Sequence, residues 1–180
     1  MTPDATQPPG TLDVPRSVRD VLERFLTADF STVATDGTPI TWPVLPTWEP
    51  AGEQIVVATS IGLPHKAFNA RRHPQVSLLY SDPPGSELAN PPTVLVQGDA
   101  VVSPDIVVSF DQLQSDVAQA VRDSTIELLR RQPQVGWYIS NPISRALMGW
   151  YFLRLFITVR PRTVRWGPGT PDGWTVCDVG

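Results

Sequence analysis

The chain has a single cysteine, Cys177, in 180 residues, so no disulfide can close within it, and nothing in its composition points to an oxidising compartment. Its two histidines, His65 and His73, lie far from that cysteine and show no paired ligand spacing. A dedicated zinc site of the Cys/His type is therefore not expected, and no metal is. Basic residues are not in surplus either: 14 Lys and Arg against 18 Asp and Glu give a formal net charge of −4 and a pI near 5.0. That balance argues against a nucleic-acid protein, which needs cations to neutralise phosphates. No window approaches the roughly 20 apolar residues of a membrane-spanning helix, and the most apolar stretch, Leu147 to Val159, is broken by Arg154. Met1-Thr2-Pro3-Asp4 lacks the basic start and apolar run of a signal peptide, so the expected location is the cytoplasm. No catalytic triad, carboxylate pair or metal motif is evident.

What is present is enough apolar residue, 41%, for one core at a length within the roughly 100 to 200 residues typical of a single domain. The expected organisation is a flexible tail over 1–14, rich in Pro and Gly, one domain over 15–168 and a polar tail over 169–180. From Pro15 to Ala28, Val18, Val21, Leu22, Phe25 and Leu26 recur at helical spacing opposite Arg16, Arg19, Asp20, Glu23 and Arg24, the pattern of an amphipathic helix. Phe30 to Thr35 is β-branched, Asp36-Gly37 supplies a tight hairpin turn, and Ile40 to Thr47 follows. Ala51-Gly52 turns the chain into Gln54 to Thr59, so three strands in a meander are expected.

Residues 60–74 read as a connector with one short helix, opened by Pro64 and ended by His73-Pro74. Gln75 to Tyr80 is a fourth strand, Ser81 to Pro92 a loop, and Thr93 to Val102 a fifth strand in which Gly98 marks a bend, bulge or close backbone approach. A long helix is expected over 110–131 and a shorter one from Asn141-Pro142 through Met148. Tyr151 to Arg160 reads as a buried strand ended by Pro161.

Chemistry concentrates where Thr59-Ser60-Ile61-Gly62-Leu63-Pro64-His65-Lys66 leaves a strand and enters a helix. A helix amino terminus offers unpaired N–H groups and the positive end of its dipole, the two hydroxyls add donors, and Lys66 adds full charge. These are the parts of a phosphate cradle. The same residues also fit a plain structural reading, with Ser60 as a helix cap and Lys66 a solvated lysine, and the residues alone leave both open.

Four pieces in order, Asp36-Gly37-x-Pro39 with its strand to Thr47, Lys66-x-x-Asn69-x-Arg71-x-x-Pro74-x-Val76-Ser77, Val96-x-Gly98-x-Ala100, and Tyr151 to Trp166 as a last strand, resemble the pyridoxamine 5′-phosphate oxidase-like, flavin-binding superfamily. The resemblance implies a mainly β fold, a six-stranded antiparallel split β-barrel with peripheral helices. It also implies a homodimer holding FMN, or the related deazaflavin coenzyme F-420, between its subunits. By position, the family's phosphate-binding lysine falls on Lys66 and its hydroxyl-bearing strand end on Thr59 and Ser60. The strand Ile40-Thr41-Trp42-Pro43-Val44 would offer its backbone edge and alternate side chains to the flavin ring.

Trp42 would stack on the cofactor or fill core or interface, and Trp166 would reach the partner subunit's cofactor or simply pack. Arg71 would meet a phosphate or an acidic group, while Arg72 reads as a solvated surface residue. His65 is either a phosphate donor or an exposed histidine. Three cations of the authentic oxidase are absent, replaced by Trp42, Thr47 and His65, and Arg165-Trp166-Gly167-Pro168 runs into a polar tail rather than a basic, histidine-bearing end. The resemblance therefore implies an FMN-dependent oxidoreductase acting on a small molecule other than vitamin B6. Its alternatives are an F-420-dependent reductase and a flavin- or haem-binding module without turnover.

Overall fold

The computed structural model describes residues 12–81, 86–104, 106, 154–168 and 173–179. Two helices, α1 (Arg16–Arg24) and α2 (His65–Arg72), accompany eight strands: β1 (Ala28–Val33), β2 (Pro39–Val44), β3 (Pro46–Glu49), β4 (Gln54–Ser60), β5 (Gln75–Tyr80), β6 (Thr93–Val102), β7 (Arg154–Gly167) and β8 (Thr175–Asp178). Every strand pair is antiparallel, in the order β2-β1-β5-β6-β7-β4-β3, with β8 added on β7. The helices expected over 110–131 and 142–148 lie outside the described residues.

The meander expected from the first three strands forms differently. β2 and β3, read as one strand from Ile40 to Thr47, separate at Leu45 and take opposite ends of the strand order. Consecutive Cα atoms are about 3.8 Å apart, so the two ends of the sheet come within about 8 Å of each other there. The sheet must curl into a barrel to allow it.

Inside lie alternate residues of each strand, among them Phe30, Ile55, Val57, Leu78, Val94, Val96, Ile157 and Val159. α1 closes one side with Val18, Val21 and Leu22, and Phe25 meets Tyr80 edge to face. Leu12 and Val14, expected in the loose tail, are buried in this core. Leu12 N–H donates to Glu53 Oε2 at 2.7 Å and its carbonyl accepts from Arg19, which ties the segment to the β3–β4 turn. Residues 175–178, expected as tail, form β8 in register with 163–166.

Gly98 is at a bulge. Gln97 faces Thr163 while Gly98 faces Pro161, so Arg162 is the extra residue on β7. A bulge is a place where a strand carries a residue without an N–H, and Pro161, expected to end the strand, lies within it instead. Burial removes the rest of the phenol of Tyr80 from water, and its hydroxyl finds no hydrogen-bond partner among the described residues. An orphaned buried hydroxyl costs about 1 to 3 kcal/mol, so Tyr80→Phe is expected to raise the urea midpoint, by about 1 kcal/mol in stability. Burial also pushes the phenol's ionisation up from 10.0. Folding then favours the neutral form: this contribution is intact below pH 10 and is lost as pH rises above it, where only the unfolded chain ionises. Tyr80→Phe should flatten that alkaline loss, read from melting temperature against pH.

Candidate functional site at the start of the second helix

β4 ends on two buried hydroxyl residues, Thr59 and Ser60. The chain then turns: Leu63 N–H donates to Ser60 O at 2.9 Å and Gly62 N–H to Ser60 Oγ at 3.2 Å. Ser60 thus caps the turn and not the helix. The N-cap of α2 is Pro64, which has no side chain able to cap, and Ala67 and Phe68 N–H already share its carbonyl. Helix geometry gives the N–H groups of His65 and Lys66 no acceptor within the helix. Both point out of the amino terminus, where the dipole favours an anion.

α2 is fixed against the barrel by Ala67 and Ala70, and by buried Asn69, whose Nδ2 donates to Thr32 Oγ1 of β1 at 3.2 Å. Arg72 is exposed, as expected, and also donates to Asn69 Oδ1 at 3.0 Å. Arg71 donates to the carbonyls of Ser103 and Pro104, at 2.6 and 3.4 Å, at the far end of the helix. Its guanidinium there fastens the exit of β6 and does not join the Lys66 group.

Lys66 is half-buried. Its Nζ donates to Thr59 Oγ1 at 3.1 Å and lies 5.9 Å from the ring centroid of Trp42, within range of a cation–π contact. Burial lowers its pKa from 10.5, and no carboxylate pairs with it among the described residues. It is also the chain's one lysine, beside 13 arginines, a signal already present in the composition.

Trp42 reaches Lys66 from β2 because the barrel brings the two ends of the strand order together. Opposite Phe30, it belongs to the inward row of β2, yet 41% of its surface is exposed. It is not core filling. The bond from Ala34 N–H to Thr38 O sets the phase of the β1–β2 ladder. Ile40, Trp42 and Val44 therefore turn their backbone groups toward β1, and Pro39, Thr41 and Pro43 turn theirs to the free edge. Two of those three lack an N–H, so on that edge of β2, unpaired among the described residues, Thr41 supplies the one backbone donor. Counting from the Asp36-Gly37 turn could have singled it out.

Of the residues expected at the site, the structure brings together Thr59, Ser60, Lys66 and Trp42, with His65 exposed beside them. Pro43 sits on the free edge of β2, whereas the Val44 side chain is in the core. Thr47 is buried in β3 opposite Val56, on no anion-binding surface. Trp166 packs against the core eleven residues along β7 from Leu155, the register partner of Thr59, a separation of about 35 Å of strand.

No protein-family model matches the chain, and no curated protein matches it in sequence. Solved structures do. A Clostridium acetobutylicum protein related to general stress protein 26, of the pyridoxinephosphate oxidase family, superposes with a TM-score of 0.55 at 10% identity, over 89% of this chain and 91% of that one. The chain has the split-barrel fold of the pyridoxamine phosphate oxidase-like proteins. An F420 reductase shares this split barrel at a TM-score of 0.51 and 24% identity, over 84% of this chain and 98% of that one. A heme binding protein from Mycobacterium smegmatis matches at 0.53 and 16%, over 93% of this chain and 60% of that longer one. The split barrel expected from the sequence is therefore present, with eight strands among the described residues in place of six.

Proposed function

We propose that the chain is a flavin-type oxidoreductase, FMN-dependent, that holds its cofactor between two copies of itself, with the phosphate on Lys66. The observation that carries this reading is the meeting of Lys66, the start of α2, which has no side-chain cap, and the exposed Trp42. The residues fit a phosphate monoester attached to a flat ring. Lys66 offers charge, the N–H groups of His65 and Lys66 offer directed donors, and the Ser60 hydroxyl hydrogen is not used by Gly62, which donates to its oxygen. Trp42 offers an aromatic face, and Thr41 one N–H on the adjoining edge.

The bound ring would supply the hydride chemistry. The protein's residues bind and orient: Lys66 and α2 fix the phosphate, and Trp42 with the β2 edge excludes water from one side. The substrate is a small molecule, and the expected absence of a catalytic acid or base agrees with a cofactor that carries the reaction. One cation facing a phosphate, with Trp42, Thr47 and His65 where others would stand, also suits the deazaflavin. The likeness to an F420 reductase favours that as the second reading.

Absorbance and mass of the ligand released from purified protein test both. FMN supports the first reading and the deazaflavin the second, while haem in its place would overturn the oxidoreductase assignment. The charge on Lys66 sets a pH dependence. Its pKa is depressed by burial, so FMN affinity should fall as pH rises and the ammonium deprotonates, from a lower pH than an ordinary lysine would set, in fluorescence titrations carried from about pH 7 through 10.5. An affinity flat over that range would contradict the assignment.

A further inference from the structure

We infer that Thr59 is a positioning residue: its hydroxyl orients the Lys66 ammonium and does not itself bind the cofactor phosphate. The inference rests on the phosphate reading above. A hydroxyl has one hydrogen and two lone pairs. Thr59 Oγ1 lies 3.0 Å from Leu63 O, an atom that can only accept, so the hydrogen is committed there. The ammonium of Lys66, which can only donate, takes a lone pair of the same oxygen at 3.1 Å. Nothing remains with which Thr59 could donate to an anion, and it is 3% exposed.

Ser60, its neighbour, is in the complementary state: it accepts from Gly62 N–H, and among the described residues nothing takes its hydrogen. The two adjacent hydroxyls thus divide the work, Ser60 as a donor available to a ligand and Thr59 as a holder of the cation. A lysine ends in a point charge on four rotatable carbons, and an orientation must come from outside it. Thr59 and the Trp42 face give two fixed points. Through Leu63 O, Thr59 also binds the cation to the turn that leads into α2, so charge and helix N–H groups keep one spacing.

Because Lys66 is the chain's one lysine, a protein labelled with 13C-lysine gives a single Cε resonance whose pH titration reports its ammonium without any ligand. Thr59→Val keeps the shape and removes both the acceptor for Lys66 and the donor to Leu63 O. It should lower the Lys66 midpoint, weaken FMN by about five- to tenfold, the worth of one hydrogen bond, and leave riboflavin unchanged. Thr59→Ser should restore both readings. In a Lys66→Ala background the further loss of FMN affinity on Thr59→Val should be smaller than in the parent, because only the Leu63 O contact to the turn remains to be lost.

An equal loss in that background would make Thr59 a direct ligand and overturn the inference. So would a Lys66 midpoint that Thr59→Val does not move. Should Lys66→Ala leave FMN affinity unchanged, the phosphate reading fails, while the ligand-free titration still decides whether Thr59 orients Lys66.

Discussion

Gly98→Ala is expected to destabilise the barrel by at least about 3 kcal/mol, the range reached when a substitution strains a packed backbone, or to prevent folding. A Cβ on residue 98 would lie 2.2 Å from Arg160 O and 2.9 Å from Arg160 C. These are main-chain atoms of the neighbouring strand, and no rotamer change removes them. β7 cannot recede, because it is also paired to β4 and β8. Gly52→Ala gives the contrast: its Cβ would lie 2.5 Å from Glu49 Oε2, but that is the end of a side chain that can shift. Its cost should be limited to weakening the three hydrogen bonds Glu49 accepts from Ala51, Gly52 and Gln54. Urea unfolding of the two variants should separate them clearly, and equal midpoints would show that the bulge does not need a glycine.

Lys66→Ala is expected to weaken FMN by about 10- to 100-fold, since a hydrogen bond from a charged donor contributes roughly 1.5 to 3 kcal/mol. The loss should be large because no second cation among the described residues joins the cradle: Arg71 is engaged with Ser103 and Pro104, and Thr47 stands buried in β3. Lys66→Arg should recover little. A planar guanidinium is not a substitute for an ammonium held by one hydroxyl and one ring face. Thermal melts of both variants should show the fold intact, with a cost limited to the Thr59 hydrogen bond and the Trp42 ring contact, because Lys66 pairs with no carboxylate among the described residues. An unchanged FMN affinity in Lys66→Ala would remove the lysine from the site.

Much of the barrel was legible in residues whose effect is local. Asp36-Gly37 made its hairpin, α1 followed the spacing of Val18, Val21 and Leu22, and Gly98 fell on a bulge. What the sequence hid depended on partners distant in the chain. The break at Leu45 reflects closure of the sheet, which no local pattern encodes. Pro161 stays within β7 because Gly98 opposes it, and β8 exists because β7 offers it an edge. At the site, the strand end and helix start were readable from Thr59 to Lys66, but the arrival of Trp42 from β2 needed the curl. Arg71 fitted a motif and yet turned to the end of β6, since spacing along α2 fixes which face a residue shares and not what that face meets.

The central claim, that the start of α2 holds the phosphate of a flavin-type cofactor, is tested most directly by comparing FMN with riboflavin on the unaltered protein at neutral pH. The two share the ring and differ in the phosphate. FMN should bind at least about tenfold more tightly, one charged contact being worth roughly that factor. Equal affinity for the two would contradict it.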